Sequence, residues 1–167
     1  MPITKSEVRK AQEKWGRAIV RIGRAYSAGE DVAAIALKKI DRLYDYDEGT
    51  VLFKPTKCEH RQFRLTKDGA LSYFVGHELA KSQVNQPDFP EDGGFAIAPY
   101  VSVQFLEADI IPGDQALAMG NYIFTQPNGL STQVEYTFGY VRRDGKIKIN
   151  VHHSSLPFQN KKCTCDS

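Results

Sequence analysis

The stretch Arg142-Arg143-Asp144-Gly145-Lys146-Ile147-Lys148-Ile149-Asn150-Val151-His152-His153-Ser154-Ser155 decides the fold. Asp144-Gly145 between two β-rich runs is a two-residue hairpin signal, because both central positions of the tight turn need a positive φ. After the turn, Ile147, Ile149, Val151, His153 and Ser155 alternate with Lys146, Lys148, Asn150, His152 and Ser154. Strand side chains point to opposite faces with period two. One face is therefore apolar until its last two positions, His153 and Ser155, while the other is basic and polar throughout. This is the pattern of a half-buried strand that enters a pocket at its far end. A hydrogen-bonded core histidine followed by a strand-end serine would give the same pattern, so this strand alone does not identify chemistry.

Working outward, residues 131–142 form the preceding strand and residues 126–129 a turn. Residues 115–125 form another strand, Pro112-Gly113-Asp114 a turn, and residues 100–111 a first long strand. Four strands joined by short turns make an antiparallel meander. The N-terminal half is helical. Thr4-Lys5-Ser6-Glu7 is a capping box, followed by Val8, Ala11, Trp15, Ala18, Ile19, Ile22 and Tyr26 at helical spacing. Their stripe should face a core. Gly29 ends this helix and Asp31 caps a second, with Val32, Ile35, Ala36, Ile40 and Leu43 on its apolar side. Residues 50–54 read as a short strand and residues 62–65 as a short extended piece. Thr66 caps a third helix over residues 67–75, ended by Gly76. Residues 82–99, with three prolines and Gly93-Gly94, read as a long irregular loop. Helices first and a meander last predict an α+β fold with helices covering one face of a curved sheet. A helical layer on a bent meander encloses a conical cavity.

The chain has 167 residues and a net charge of +2, with 41% hydrophobic and 25% charged residues. That suits one domain with a single core, expected over residues 1–158 with a polar tail at 159–167. The charge is small and spread out, which argues against a nucleic-acid partner. No apolar run approaches the ~20 residues that span a bilayer, and the first residues show neither an apolar leader segment nor a cleavage site. The three cysteines, Cys58, Cys163 and Cys165, make no disulfide framework. Cys58-Glu59-His60 offers two metal ligands without the remaining two of a structural zinc site.

Seven stretches recur in a known order: residues 44–49 (YDYDEG), 51–57 (VLFKPTK), 71–76 (LSYFVG), 94–97 (GFAI), 116–122 (ALAMGNY), 134–140 (VEYTFGY) and 152–157 (HHSSLP). Together they resemble the iota class of carbonic anhydrases, over about residues 5–158. The resemblance implies a cone of the nuclear transport factor 2-like type, usually dimeric, and reversible hydration of carbon dioxide to bicarbonate. In the members most like this chain it implies a site with no metal and no other cofactor. It also implies a threonine, a tyrosine and a serine around the substrate, with a histidine beside them. These fall on Thr56, on Tyr73, and on one His and one Ser of residues 152–155. Strand alternation selects His153 and Ser155, which share the apolar face, and turns His152 and Ser154 away. A bulge near His152 would reverse that assignment.

Apart from the resemblance, Thr56 reads as a turn residue and Tyr73 as helix packing. Tyr122, Tyr136 and Tyr140 can line the cavity, and Phe53, Phe105, Phe124 and Phe138 read as core or cavity wall. Glu135 is a lesser candidate for a base. Two other functions compete. A metal-dependent hydratase on the same fold would need a cluster of ligands, yet His152 and His153 point apart on a strand. A non-enzymatic association or ligand-binding module would have no reason to converge Thr56, Tyr73, His153 and Ser155. The expected partners are carbon dioxide, bicarbonate and a second copy of the chain across the outer face of the sheet. Neither nucleic acid nor membrane is expected.

Overall fold

Thr4 opens the first helix as the sequence predicts: its hydroxyl accepts from the Glu7 amide at 3.2 Å, and the Glu7 carboxylate accepts from the Thr4 amide at 2.9 Å. The computed structural model describes residues 1–85 and 88–159. Helix α1 runs Lys5–Ser27 and buries Val8, Ala11, Trp15, Ala18, Ile19 and Ile22, while Tyr26 at its end is half exposed. Helix α2, Val32–Leu43, is capped by Asp31. A short strand β1, Leu52–Lys54, leads to α3, Lys67–Val75, capped by Thr66 and ended by Gly76 at φ 90°. A single turn of helix, α4 (His77–Ala80), follows.

The sheet contains β1 and five more strands: β2 Ser102–Phe105, β3 Asp109–Ile111, β4 Ala116–Thr125, β5 Ser131–Arg143 and β6 Lys146–Ser155. Its order is β1-β6-β5-β4-β2, with β3 also on β4. The meander β4-β5-β6 is antiparallel, but β1 joins β6 in parallel, so the sheet is mixed. The hairpin after β5 has Asp144 and Gly145 at φ 46° and 77°, the turn that Asp-Gly predicts.

The strand expected over residues 100–111 is broken into β2 and β3. Three residues, 106–108, lie opposite two of β4 between the pairs Phe105–Tyr122 and Asp109–Met119. The break falls at Gly120, where a Cβ would sit 3.2 Å from the Glu107 carbonyl and 2.9 Å from the Tyr136 hydroxyl. A glycine where another backbone comes this close lets the sheet bend over α1.

A second irregularity is a bulge in β6. Gly139 pairs with Val151 and Tyr140 with Ile149, leaving Asn150 as the extra residue. The Asn150 and Gln115 side-chain amides exchange two hydrogen bonds, 2.8 and 2.9 Å. At Gly139 a Cβ would stand 2.8 Å from that of Val151. The bulge shifts the alternation by one. Ile149 points inward, but so then do His152 and Ser154, each 2% exposed.

Between α4 and β2 the chain is irregular; residues 86–87 lie outside the described residues, as does the polar tail expected at 159–167 from residue 160 on, with Cys163 and Cys165. The loop is tied down. Amides of Phe95 and Ala96 donate to the carbonyls of Tyr73 and Phe74, both at 2.8 Å. Arg64, from the predicted extended piece, donates its amide to the Phe53 carbonyl. Its buried guanidinium meets the Asp92 carboxylate through two bonds, 2.6 and 3.3 Å, and lies 3.9 Å from the centre of the Phe89 ring. Asp92→Ala is expected to destabilise the protein by about 3–5 kcal/mol in urea unfolding, because it strands a buried cation. Adding Arg64→Met should recover much of that loss.

Candidate active site

His152 stands at the centre of the polar groups inside the cone. Its imidazole lies between Phe138 and Phe53, with ring centres 4.1 and 4.6 Å away and planes tilted by 21° and 10°. The Trp15 ring meets it edge-on at 5.3 Å. Both ring nitrogens have partners. Nδ1 is 2.8 Å from the Tyr44 hydroxyl, which also accepts from Trp15 Nε1 at 2.9 Å. Nε2 is 3.1 Å from Ser154 Oγ and 3.3 Å from the Tyr122 hydroxyl. The Tyr122 and Ser154 hydroxyls are hydrogen-bonded to each other. Burial in this aromatic box pushes the His152 pKa well below its ordinary value, and nearby His153 adds to the effect. The imidazole is therefore neutral at physiological pH.

A small pocket opens onto this network. Trp15, Phe53, Pro55, Phe74 and Phe95 form its apolar wall; Thr56, Tyr73, Tyr122, His152 and Ser154 supply its polar groups. Its free volume is about 10 Å³, at the lower limit for one water molecule. Burial raises the Tyr73 and Tyr122 hydroxyls above the ordinary phenol range, so both remain protonated donors. A much larger open groove of about 1310 Å³ lies between α1, α2 and the β5–β6 turn. It is lined mostly by lysines and arginines and holds none of the site residues expected from the sequence.

The structure brings Thr56 and Tyr73 together on the pocket wall. It does not place His153 and Ser155 there. His153 is exposed on the outer face of the sheet, and Ser155 donates to Glu135 at 3.0 Å on that same face. The expected assignment is reversed: His152 and Ser154 are the inward pair, because the bulge at Asn150 shifts the register by one. Glu135, the lesser candidate base, is outside as well. Tyr44 and Trp15 carry the network but received no role from the sequence. Tyr44 opens a recurring stretch, and Trp15 was legible only as helix core. Cys58 is half-buried, and burial pushes its thiol up to about 11, so it is no thiolate nucleophile at neutral pH. Among the described residues there is no group of three or more His, Cys, Asp or Glu able to hold a metal ion.

Residues 6–156 match the family model described as metal-independent carbonic anhydrase. The chain belongs to that family. A metal-independent carbonic anhydrase from Nostoc sp. strain PCC 7120 is 45% identical over 162 residues, 94% of this chain and 75% of the relative. The crystal structure of a cyanobacterial iota-carbonic anhydrase complexed with bicarbonate superposes with a TM-score of 0.85 at 43% identity, covering 95% of each chain. A putative dehydratase of the nuclear transport factor 2-like family from Streptomyces avermitilis shares the fold, with a TM-score of 0.55 at 15% identity over 92% of this chain and 96% of the other. The α+β cone expected for an iota-class carbonic anhydrase is thus the observed fold.

The His152 environment has a consequence for stability. In the unfolded chain this histidine takes up a proton as pH falls through about 6.5; in the folded chain it stays neutral to much lower pH. Its contribution to stability is therefore full above 6.5 and declines below it, by up to about 1.4 kcal/mol per pH unit. A His152→Gln variant should be less stable at pH 7.5, yet lose less stability than the native protein between pH 6.5 and 4.5 in urea titrations.

Proposed function

We propose that this carbonic anhydrase interconverts carbon dioxide and bicarbonate in the small pocket, with Thr56, Tyr73 and Ser154 holding the substrate oxygens and His152 supporting them. The observation that carries this reading is the convergence of these hydroxyls with one neutral, fully hydrogen-bonded imidazole inside an aromatic cavity of small volume. Carbon dioxide is linear and apolar, which matches the walls. As the water oxygen bonds to carbon, an electron pair of one C=O moves onto oxygen, the molecule bends, and the proton that water gives up passes to a second water at the solvent-facing mouth of the pocket, leaving bicarbonate. Charge appears on oxygens that were weak acceptors before. Hydroxyl donors fixed in an apolar-walled site bind this bent anion more tightly than the linear substrate, and such a difference lowers the barrier. Holding water and carbon dioxide together adds a further gain from orientation.

The site works without the device of metal enzymes, in which a bound ion lowers the pKa of water to about 7. Among the described residues no carboxylate lines the pocket. Positive charge stands close by: Lys54 Nζ is 3.4 Å from the Ser154 carbonyl, and Lys57 Nζ is 6.0 Å from the Phe95 ring centre. Both lysines favour an anionic product near the pocket. Ser154→Ala, Thr56→Ala and Tyr73→Phe should each lower turnover by roughly 100- to 1000-fold in a carbon dioxide hydration assay, the range for losing one donor to a developing oxyanion. His153→Ala and Ser155→Ala, on the other face, should have much smaller effects. Activity should survive exhaustive chelation. Its loss on chelation and return with zinc or manganese would sink the metal-free mechanism.

The chain also carries a surface suited to a second copy of itself. Leu52, Ile111, Leu117 and Met119 project from the outer face of the sheet, and all are substantially exposed. Exposed apolar residues on a sheet face commonly form the core of a two-fold interface. We infer a homodimer through it. Sedimentation at micromolar concentration should report a dimer, and Met119→Glu should shift it to monomer.

A further inference from the structure

We propose that Trp15 and Tyr44 set the direction of the whole hydrogen-bond network, holding neutral His152 with its hydrogen on Nε2, so that the histidine orients Ser154 rather than taking the proton from water. The inference rests on the hydratase reading for its catalytic meaning, but the tautomer itself does not.

The argument is a count of hydrogens. An indole nitrogen can only donate. Trp15 Nε1 therefore gives its hydrogen to the Tyr44 oxygen, at 2.9 Å. Tyr44 is buried, and its hydroxyl has one hydrogen of its own. Among the described residues the acceptor within reach is His152 Nδ1, at 2.8 Å. If Tyr44 donates there, Nδ1 must be bare, and a neutral ring must then carry its hydrogen on Nε2. The alternative tautomer would make Tyr44 accept from both Trp15 and His152, leaving its own hydrogen buried and unpaired. Buried donors are seldom left so, because they lose their bonds to water and gain none in return.

The direction continues outward. Nε2–H points to Ser154 Oγ, at 3.1 Å, and Ser154 accepts. Ser154 and Tyr122 bring two hydroxyl hydrogens. Their mutual bond uses one of them. The other remains free to reach an oxygen in the pocket. The network thus delivers a hydrogen-bond donor to the substrate side. It leaves no lone pair on His152 available for a proton from water. Tyr44 and Trp15 are positioning residues: the Trp15 ring is part of the pocket's apolar wall, but its N–H and the Tyr44 hydroxyl act on the network through the imidazole.

The test is a long-range proton–nitrogen correlation spectrum of the uniformly nitrogen-15-labelled protein, with the His152 signals assigned from a His152→Gln sample. In the native chain at pH 7.5, Nδ1 should appear as the bare nitrogen and Nε2 as the protonated one. A native ring protonated on Nδ1 overturns the proposal, whatever the activity. Tyr44→Phe removes the donor and should populate the Nδ1–H form. Its kcat should fall roughly 10- to 100-fold, the range for removing a partner that orients a site histidine, with KM little changed. Tyr44→Phe with native tautomer and native kcat would also overturn it. If the native tautomer is as expected but the chain hydrates no carbon dioxide, the hydratase reading fails and the network assignment stands.

Discussion

A neutral imidazole buried in an aromatic core must find partners for both its nitrogens, and much of the interior is arranged around meeting that demand for His152. Trp15 comes from α1, Tyr44 from the end of α2, Tyr122 from β4 and Ser154 from β6 itself. Phe53 of β1 and Phe138 of β5 close its two faces. Both long helices and the four adjoining strands of the sheet thereby meet at one side chain. A polar group placed so deep is tolerable only when fully satisfied, and a satisfied network of this kind specifies one arrangement of its neighbours. The same constraint that holds the cone together leaves a hydroxyl donor at the edge of a small pocket with aromatic walls.

Whether His152 reaches that position depends on a single extra residue. Without the bulge at Asn150, residues 152 and 154 would lie on the outer face and His153 and Ser155 would point in. The bulge is held by groups far apart in the chain. Gly139 of β5 has no side chain to obstruct Val151, and the Gln115 amide at the start of β4 pairs with that of Asn150. On the other side of the sheet, Gly120 bends β4 over α1 and brings Phe105 and Tyr122 toward Trp15. The two irregularities curve the sheet and set its register, and together they shape the pocket.

The chemistry that results differs in kind from Lewis-acid catalysis. Hydroxyl groups carry no net charge, so their influence on the reaction comes from the direction of their dipoles within apolar walls. That makes the orientation of each hydrogen matter, which is why the indole N–H and the phenol behind the imidazole bear on the proposed reaction through the hydrogen-bond chain they start. The Arg64–Asp92 pair serves the site from the other side. It ties the piece following β1 to the loop that carries Phe95, and so holds Thr56 and the apolar wall in place.

Local patterns carried most of the fold. The Thr4–Glu7 box, the helical stripe through Trp15 and the Asp144-Gly145 turn are short-range signals, and each appears where its residues predict. Ordered motifs carried the family and pointed to Thr56 and Tyr73. The inward-facing histidine and serine were not legible, since Ile147, Ile149 and Val151 are apolar on either side of the bulge and hide a change of parity. That change was decided by Gly139 and Gln115, residues on other strands whose contacts exist only once the sheet has formed. Tyr44 was unreadable for the same reason: its role lies in a bond to a ring 108 positions away, and only the closed cone brings the two within 2.8 Å.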